Sequence, residues 1–211
     1  MDISNSARVR KLASNLAAHP DLVLPYLRHS LLTRQRPIDK DMPWWSFAAI
    51  KRADELLPGK RVFEFGTGGS TLRYAKVAKS IVAVEDDAFW GEIVQRKLAA
   101  AGITNVDIRL CPFDFDQPQG FPESAYLRAF DPTVDYDVVV IDGQDKTFRE
   151  RIACFRHVEP AVARTGGIII VDDWWRYTEL LDSNLAKRVE VCESVGPCRI
   201  GVTSTAFFFY A

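Results

Sequence analysis

The sequence predicts a doubly wound α/β domain whose seven-stranded sheet is mostly parallel and ends in an antiparallel hairpin. Three observations carry that expectation. Short runs of Val and Ile without polar alternation, such as residues 138–141 and 168–171, suit strands buried on both faces. Helical stretches alternate with the first five predicted strands, which demands right-handed crossovers. The last two runs are joined by Val195-Gly196-Pro197, too short for a crossover, so they pair antiparallel.

Along the chain, residues 1–41 read as a helical preface and 42–211 as the main domain. Ile3, Ala7, Leu12 and Leu16 give a loose helical stripe that His19-Pro20 interrupts, and Leu22 to Leu32 is a second apolar stretch. Pro43 opens a helix through Leu57, closed by Pro58-Gly59. Arg61 to Phe65 is the first strand, with Ser70 to Ala78 the helix after it. Ile81 to Glu85 is the second strand, followed by an amphipathic helix from Asp87 to Ala101. Val106 to Leu110 is the third strand. A loop rich in Pro and Phe spans 111–133, with a short helix around Glu123 to Phe130. Asp137 to Ile141 is the fourth strand, Lys146 to Ala163 its helix, and Ile168 to Val171 the fifth strand. Arg188 to Ser194 and Gly201 to Tyr210 form the hairpin.

With 211 residues, 47% apolar and 26% charged, the chain suits a single globular domain with a substantial core. Its 27 Lys and Arg balance 28 Asp and Glu, so it lacks the overall positive charge of a nucleic-acid or anionic-membrane binder. The start, Met1-Asp2-Ile3-Ser4-Asn5, lacks the basic-then-apolar layout of a secretory signal. No apolar run approaches the roughly 20 residues needed to span a bilayer. A cytoplasmic protein with a small-molecule partner is the expectation. Cys111, Cys154, Cys192 and Cys198 show no CxxC pair or zinc spacing and read as reduced thiols, although Cys192 and Cys198 lie near one turn.

The first strand runs through Glu64-Phe65-Gly66-Thr67-Gly68-Gly69-Ser70-Thr71 straight into a helix. Glycines there allow a tight turn and close ligand approach, and the helix start offers free N–H groups. Glu85 ends the next strand, 19 residues after Gly66, the spacing of a carboxylate that grips ribose hydroxyls. A dinucleotide fingerprint would want glycine where this chain has Thr71, and Glu64 stands two residues before the first glycine.

On these residues the chain, over roughly 43–211, resembles the class I S-adenosylmethionine (SAM)-dependent methyltransferases, a Rossmann-like fold. The resemblance implies that Glu64, Gly66, Thr67, Gly68, Gly69 and Ser70 form the cofactor turn and that Glu85 holds the ribose. Ser70 replaces the family's last glycine. The adenine contact after the third strand has no clear counterpart, with Cys111 and Asp114 the nearest residues.

The fourth and fifth strands end in Asp142 and in Asp172-Asp173, at the carboxyl edge where open parallel sheets bind ligands. Here the chain is similar to the small-molecule O-methyltransferase branch, whose equivalent acids hold a metal. That implies Mg²⁺ or another hard cation on Asp142, Asp172 and Asp173, lowering the acceptor's pKa. The branch's Lys or His three positions after the first acid is Asp145 here, with Lys146 next. Without a metal, Asp142 and Asp172 bind cofactor or substrate directly or cap the following helices. Asp142, Asp145 and Lys146 are the candidate bases, and Asp142 also belongs with the cofactor set. His157 reads as structural, and His19 and His29 show no partner.

Trp44-Trp45, Trp174-Trp175 and Tyr177 flank the expected crevice, as packing or as an apolar lid. Phe113, Phe115, Phe121 and Tyr126 are a further candidate wall. Phe207 to Tyr210 reads as a buried or an edge strand, and an edge would need a covering partner such as a homodimer. Beside methyl transfer from SAM to a small-molecule oxygen, two readings stay open. One is a non-catalytic SAM-binding module, the other an NAD-dependent oxidoreductase.

Overall fold

A computed structural model describes residues 5–32 and 34–211, so the part of the preface stripe at Ile3 lies outside the described residues. Seven strands form one sheet: β1 Arg61–Phe65, β2 Ser80–Glu85, β3 Val106–Leu110, β4 Val138–Ile141, β5 Ile168–Val171, β6 Arg188–Val195 and β7 Val202–Phe209. Their order is β3-β2-β1-β4-β5-β7-β6. The first five run parallel, and β7 is antiparallel to both β5 and β6.

Helices α1 Asn5–Ala18 and α2 Val23–Tyr26 belong to the preface. The others are α3 Phe47–Leu56, α4 Gly69–Tyr74, α5 Ala88–Ala100, α6 Ala125–Arg128 and α7 Glu150–Thr165. Among the described residues, no helix is long and apolar enough to cross a membrane.

Alternation along the central strands splits the core into two layers. Val62, Val138, Val140 and Ile170 join Leu72, Val94 and Leu98 of α4 and α5 on one face. Phe63, Phe65, Val139, Ile141, Ile169 and Val171 join Phe155, Val158 and Val162 of α7 on the other. Strands of unbroken Val and Ile need both covers, because either face left bare would expose large apolar area.

Two helix starts differ from the sequence expectation, each for a local reason. Helix α3 begins at Phe47 rather than Pro43, because extended Ser46 caps it and accepts a hydrogen bond from Ala49 N–H at 3.0 Å. The chain before it bends at Trp44 and Trp45, and Trp45 enters the core. Helix α7 begins at Glu150 rather than Lys146. The Asp145 carboxylate accepts from Phe148 N–H (2.6 Å) and Arg151 N–H (3.2 Å), and Phe148 takes a φ of 62°. Those bonds spend the segment on a turn that precedes the helix.

The segment Phe207-Phe208-Phe209 lies inside β7, covered by β5 and β6, so it is an interior strand. The dimer expected from an exposed edge has no such edge here. The edge strand on this side of the sheet is β6, which carries Arg188, Glu190 and Glu193. The preface docks on this hairpin. Lys11 pairs with Glu193 at 2.8 Å, and Asn15 accepts from Val195 N–H at 3.1 Å. Ser30 Oγ donates to Gly196 O at 2.8 Å, while Tyr26 and Ile38 are buried in the α3–α5 layer.

All four cysteines are free.

Helix α4 rests against the chain before α3 through Gly69. A Cβ at that position would lie 1.9 Å from the Met42 carbonyl oxygen, a backbone atom that cannot turn aside. Gly69→Ala is expected to cost about 3 kcal/mol in chemical denaturation, the upper end for overpacking, because the clash is with backbone. Gly120→Ala, with open space around its Cβ, should change little. Equal midpoints for the two variants would contradict this packing.

Candidate functional site

The register of the sheet builds the site. Phe65 pairs with both Val84 and Ile141, and Ile141 pairs with Val171. The residues that follow in register, Gly66, Glu85, Asp142 and Asp172, therefore stand in one row along the carboxyl edge. Gly66 N–H donates to Val84 O, Asp142 N–H to Phe65 O and Asp172 N–H to Ile141 O, at 2.9, 3.1 and 3.2 Å. Four residues from four strands thus share a rim without any loop being asked to place them.

Gly66, Thr67, Glu85, Asp86, Asp87, Trp90, Asp142, Gly143 and Gln144 line a cleft of about 240 Å³ at this rim. A larger cleft of about 430 Å³ opens at the opposite end of the strands, between Lys60, Arg61 and Arg164. It lies away from the row, and the carboxyl edge is where parallel sheets place their ligands. The smaller cleft is therefore the candidate.

Glu85 faces that cleft with its carboxylate already fixed. One oxygen accepts from Thr67 N–H (3.0 Å) and Thr67 Oγ1 (2.5 Å), the other from the N–H groups of Asp86 (3.1 Å) and Asp87 (3.0 Å). Burial raises its pKa, and the hydrogen bonds oppose the rise. Asp87 caps α5, and the third residue of that helix, Trp90, donates from its indole to Thr67 O at 2.8 Å. Its ring closes one side of the cleft. Trp90 was not among the residues singled out from sequence. Its signal is an aromatic one turn past the acid that ends β2.

The turn residues divide into two roles. Gly66 and Thr67 line the cleft, whereas Glu64, Gly69 and Ser70 sit behind it. Glu64 is buried and receives hydrogen bonds from Ser70 Oγ and from Thr71 Oγ1 (2.6 Å), so it ties the end of β1 to the start of α4. Thr71 Oγ1 also accepts from Gly68 N–H at 3.0 Å. Burial pushes the Glu64 carboxyl up to about 8, past the lowering effect of the two hydroxyls. Cys111 and Asp114 stand outside the cleft. Asp114 instead closes its own loop on Asp116 and Gln117.

The candidate bases are not assembled as a group. Asp142 lines the cleft, accepting from Trp45 Nε1 at 2.8 Å and pairing with Arg151 Nη2 at 3.3 Å. Burial raises its pKa, and the Arg151 charge works against that. Asp145 faces the start of α7, where burial, then Glu150, raises its pKa. Lys146 pairs with Asp116 of the 111–117 segment and does not line the cleft. His157 packs against Phe130.

The metal expected on Asp142, Asp172 and Asp173 finds no support in the arrangement of these side chains. Among the described residues, no three of His, Cys, Asp and Glu come together so as to hold a metal ion. Asp172 accepts from Thr205 Oγ1 at 2.6 Å, and burial raises its pKa well above the usual carboxylate range. Asp173, at a φ of 51°, meets Thr203 Oγ1 at 3.3 Å and Arg199 at 3.6 Å. The buried cation among these acids is Arg151, whose guanidinium donates to Gly143 O (2.8 Å) and Asp172 O (3.0 Å). It escaped the sequence reading, yet it sits on the buried stripe of α7 with Cys154, Phe155 and Val158. A charge on an apolar stripe was the available signal.

Each tryptophan pair splits into a buried and an exposed member. Trp45 is 0% exposed and Trp174 4%, whereas Trp44 is 53% exposed and Trp175 59%. Arg199 lies over the Trp44 ring at 5.3 Å and Arg176 over Trp175 at 4.7 Å. Phe113, Phe115, Phe121 and Tyr126 pack on one another, in a cluster under Gly143 and not as a wall of the cleft.

With this geometry in place, the chain can be set beside known proteins. No protein-family model matches it, and no curated protein matches it in sequence. Solved structures share the fold. An rRNA methylase from Streptococcus thermophilus superposes with a TM-score of 0.56 at 10% identity, over 85% of this chain and 99% of that one. A Streptococcus mutans protein solved in complex with SAH gives 0.54 at 10% identity, over 84% and 99%. A SAM-dependent O-methyltransferase from Thermotoga maritima gives 0.52 at 14% identity, over 90% and 69%. The fold is the Rossmann-like one of the SAM-dependent methyltransferases.

Glu64 supplies a test of the turn. Its raised pKa means that stability is complete below about 4.5 and is lost as the pH climbs through about 8. Glu64→Gln should match wild type near pH 5 and exceed it at pH 9, by on the order of a few kcal/mol. Denaturant melts across that range check this, and a gap independent of pH would contradict it.

Proposed function

We propose that the chain is a SAM-dependent methyltransferase acting on a small-molecule acceptor. The observation that carries this reading is the charge of the cleft. Glu85, Asp86, Asp87 and Asp142 line it, and its lining holds no Lys or Arg. A dinucleotide would bring its anionic pyrophosphate into that field, whereas SAM brings a sulfonium and an ammonium. The same acids disfavour the NAD-dependent alternative. Glu85 at the mouth of the Gly66–Thr67 turn suits the ribose hydroxyls, with Thr67 Oγ1 giving way as they bind. Trp90 offers an aromatic face for the base.

When bound, SAM supplies an electrophilic methyl group. The chain's own part is to orient the acceptor and accept its proton. Asp142 is the candidate for that proton, since it lines the cleft and is held by Trp45 and Arg151. Trp44 and Trp175, both more than half exposed, offer flat aromatic faces for an acceptor. The near-neutral charge favours a small molecule over a nucleic acid, and a hydroxyl is the first acceptor to test.

Calorimetry with SAM, SAH and NAD tests the cofactor. SAM and SAH should bind and NAD should not. Glu85→Ala should weaken SAH by about 10- to 100-fold, the cost of losing hydrogen bonds to a charged group. Absence of binding by both sulfur ligands would overturn the proposal. Transfer of labelled methyl to a hydroxyl-bearing acceptor panel, absent in Asp142→Asn, separates an enzyme from a binding module.

A further inference from the structure

We infer that the Arg151 guanidinium fills the cationic position that the resemblance assigns to a divalent metal, so that the acid rim works without one. The inference rests on the methyltransferase reading and narrows its acceptor. Where no metal chelates the substrate, the acceptor need not present two adjacent oxygens, and a single nucleophilic group suffices.

The geometry is specific to a planar fork. Nε donates to Gly143 O after β4, Nη1 donates to Asp172 O after β5, and Nη2 pairs with Asp142 Oδ1. One side chain from the first turn of α7 therefore clasps the ends of two strands. Of the carboxylates a metal would have recruited, Asp142 is engaged by Arg151 itself, Asp172 by the Thr205 hydroxyl and Asp173 by Thr203 and Arg199. A divalent ion on the same Asp142 oxygen would sit within a few ångströms of a fixed positive charge. An ammonium could not copy the clasp, because it lacks the fixed three-way spread of a guanidinium.

The charge balance agrees. Asp142, Asp172 and Asp173 each act to keep Arg151 charged, and the Arg151 guanidinium also lies 5.8 Å from the Tyr177 ring centre. A buried charge with one partner would be costly, but this one has three acceptors. Arg151 is thereby a positioning residue. It holds one Asp142 oxygen while Trp45 holds the other, which fixes the carboxylate toward the cleft.

The test is a titration of the full chain with Mn²⁺ alone, followed by paramagnetic resonance of the free ion, with and without SAH. Wild type should take up no Mn²⁺ at the rim. Arg151→Met should melt about 10 °C lower and acquire Mn²⁺ binding that Asp142→Asn then removes. Arg151→Lys should recover part of the melting temperature and bind no Mn²⁺, an outcome that packing alone would not produce. Stoichiometric uptake by wild type that is lost in Asp142→Asn would overturn the inference, and so would an Arg151→Met variant that melts like wild type. If Arg151→Met does not fold, the wild-type titration still decides. SAH calorimetry run in parallel keeps the two ideas apart, since loss of SAH binding sinks the methyltransferase reading and Mn²⁺ uptake sinks this one.

Discussion

The backbone leaving β1 passes directly against the backbone leaving β4, and the site depends on that contact. A Cβ at Gly66 would lie 2.9 Å from Gly143 Cα, and Gly66 holds a φ of 89°. A Cβ at Gly143 would in turn lie 2.0 Å from the Tyr126 hydroxyl. Two glycines thus let the turn after β1 and the acid after β4 share one cleft. The aromatic cluster of Phe115, Phe121 and Tyr126 supports the contact from below. Larger side chains at either position would part Glu85 from Asp142.

Once the strand ends are together, electrostatics decides what they can hold. Acids on neighbouring strands repel one another, and burial raises the cost. The chain meets that cost in two ways. Backbone N–H groups and hydroxyls take up Glu85, Asp172 and Glu64, while Arg151 compensates the charge of Asp142. The cleft keeps a negative character suited to a cationic ligand.

Much of this was legible in the sequence. β5 falls where its apolar run places it, because a strand buried on both faces leaves no polar residue to blur its ends, and β3 keeps its expected bounds although Asp107 and Arg109 alternate with its apolar residues. The row of Gly66, Glu85, Asp142 and Asp172 was equally readable, since parallel register carries strand ends to one edge. What escaped depends on contacts far apart in the chain. Gly69 reads as part of a ligand turn, yet its smallness serves the Met42 carbonyl 27 residues earlier. Trp44 and Trp45 read alike, and only the docking of Trp45 on Asp142 separates them. The three rim acids suggested a metal because periodicity alone did not reveal that α7 would send an arginine among them.

The most direct test of the account is a crystal structure grown with SAH. Ribose hydroxyls on Glu85, the methionine portion along Gly66–Thr67 and the sulfur facing Asp142 are the expected result. SAH lodged instead in the cleft of Lys60, Arg61 and Arg164, or turned so that its sulfur faces away from Asp142, would contradict it.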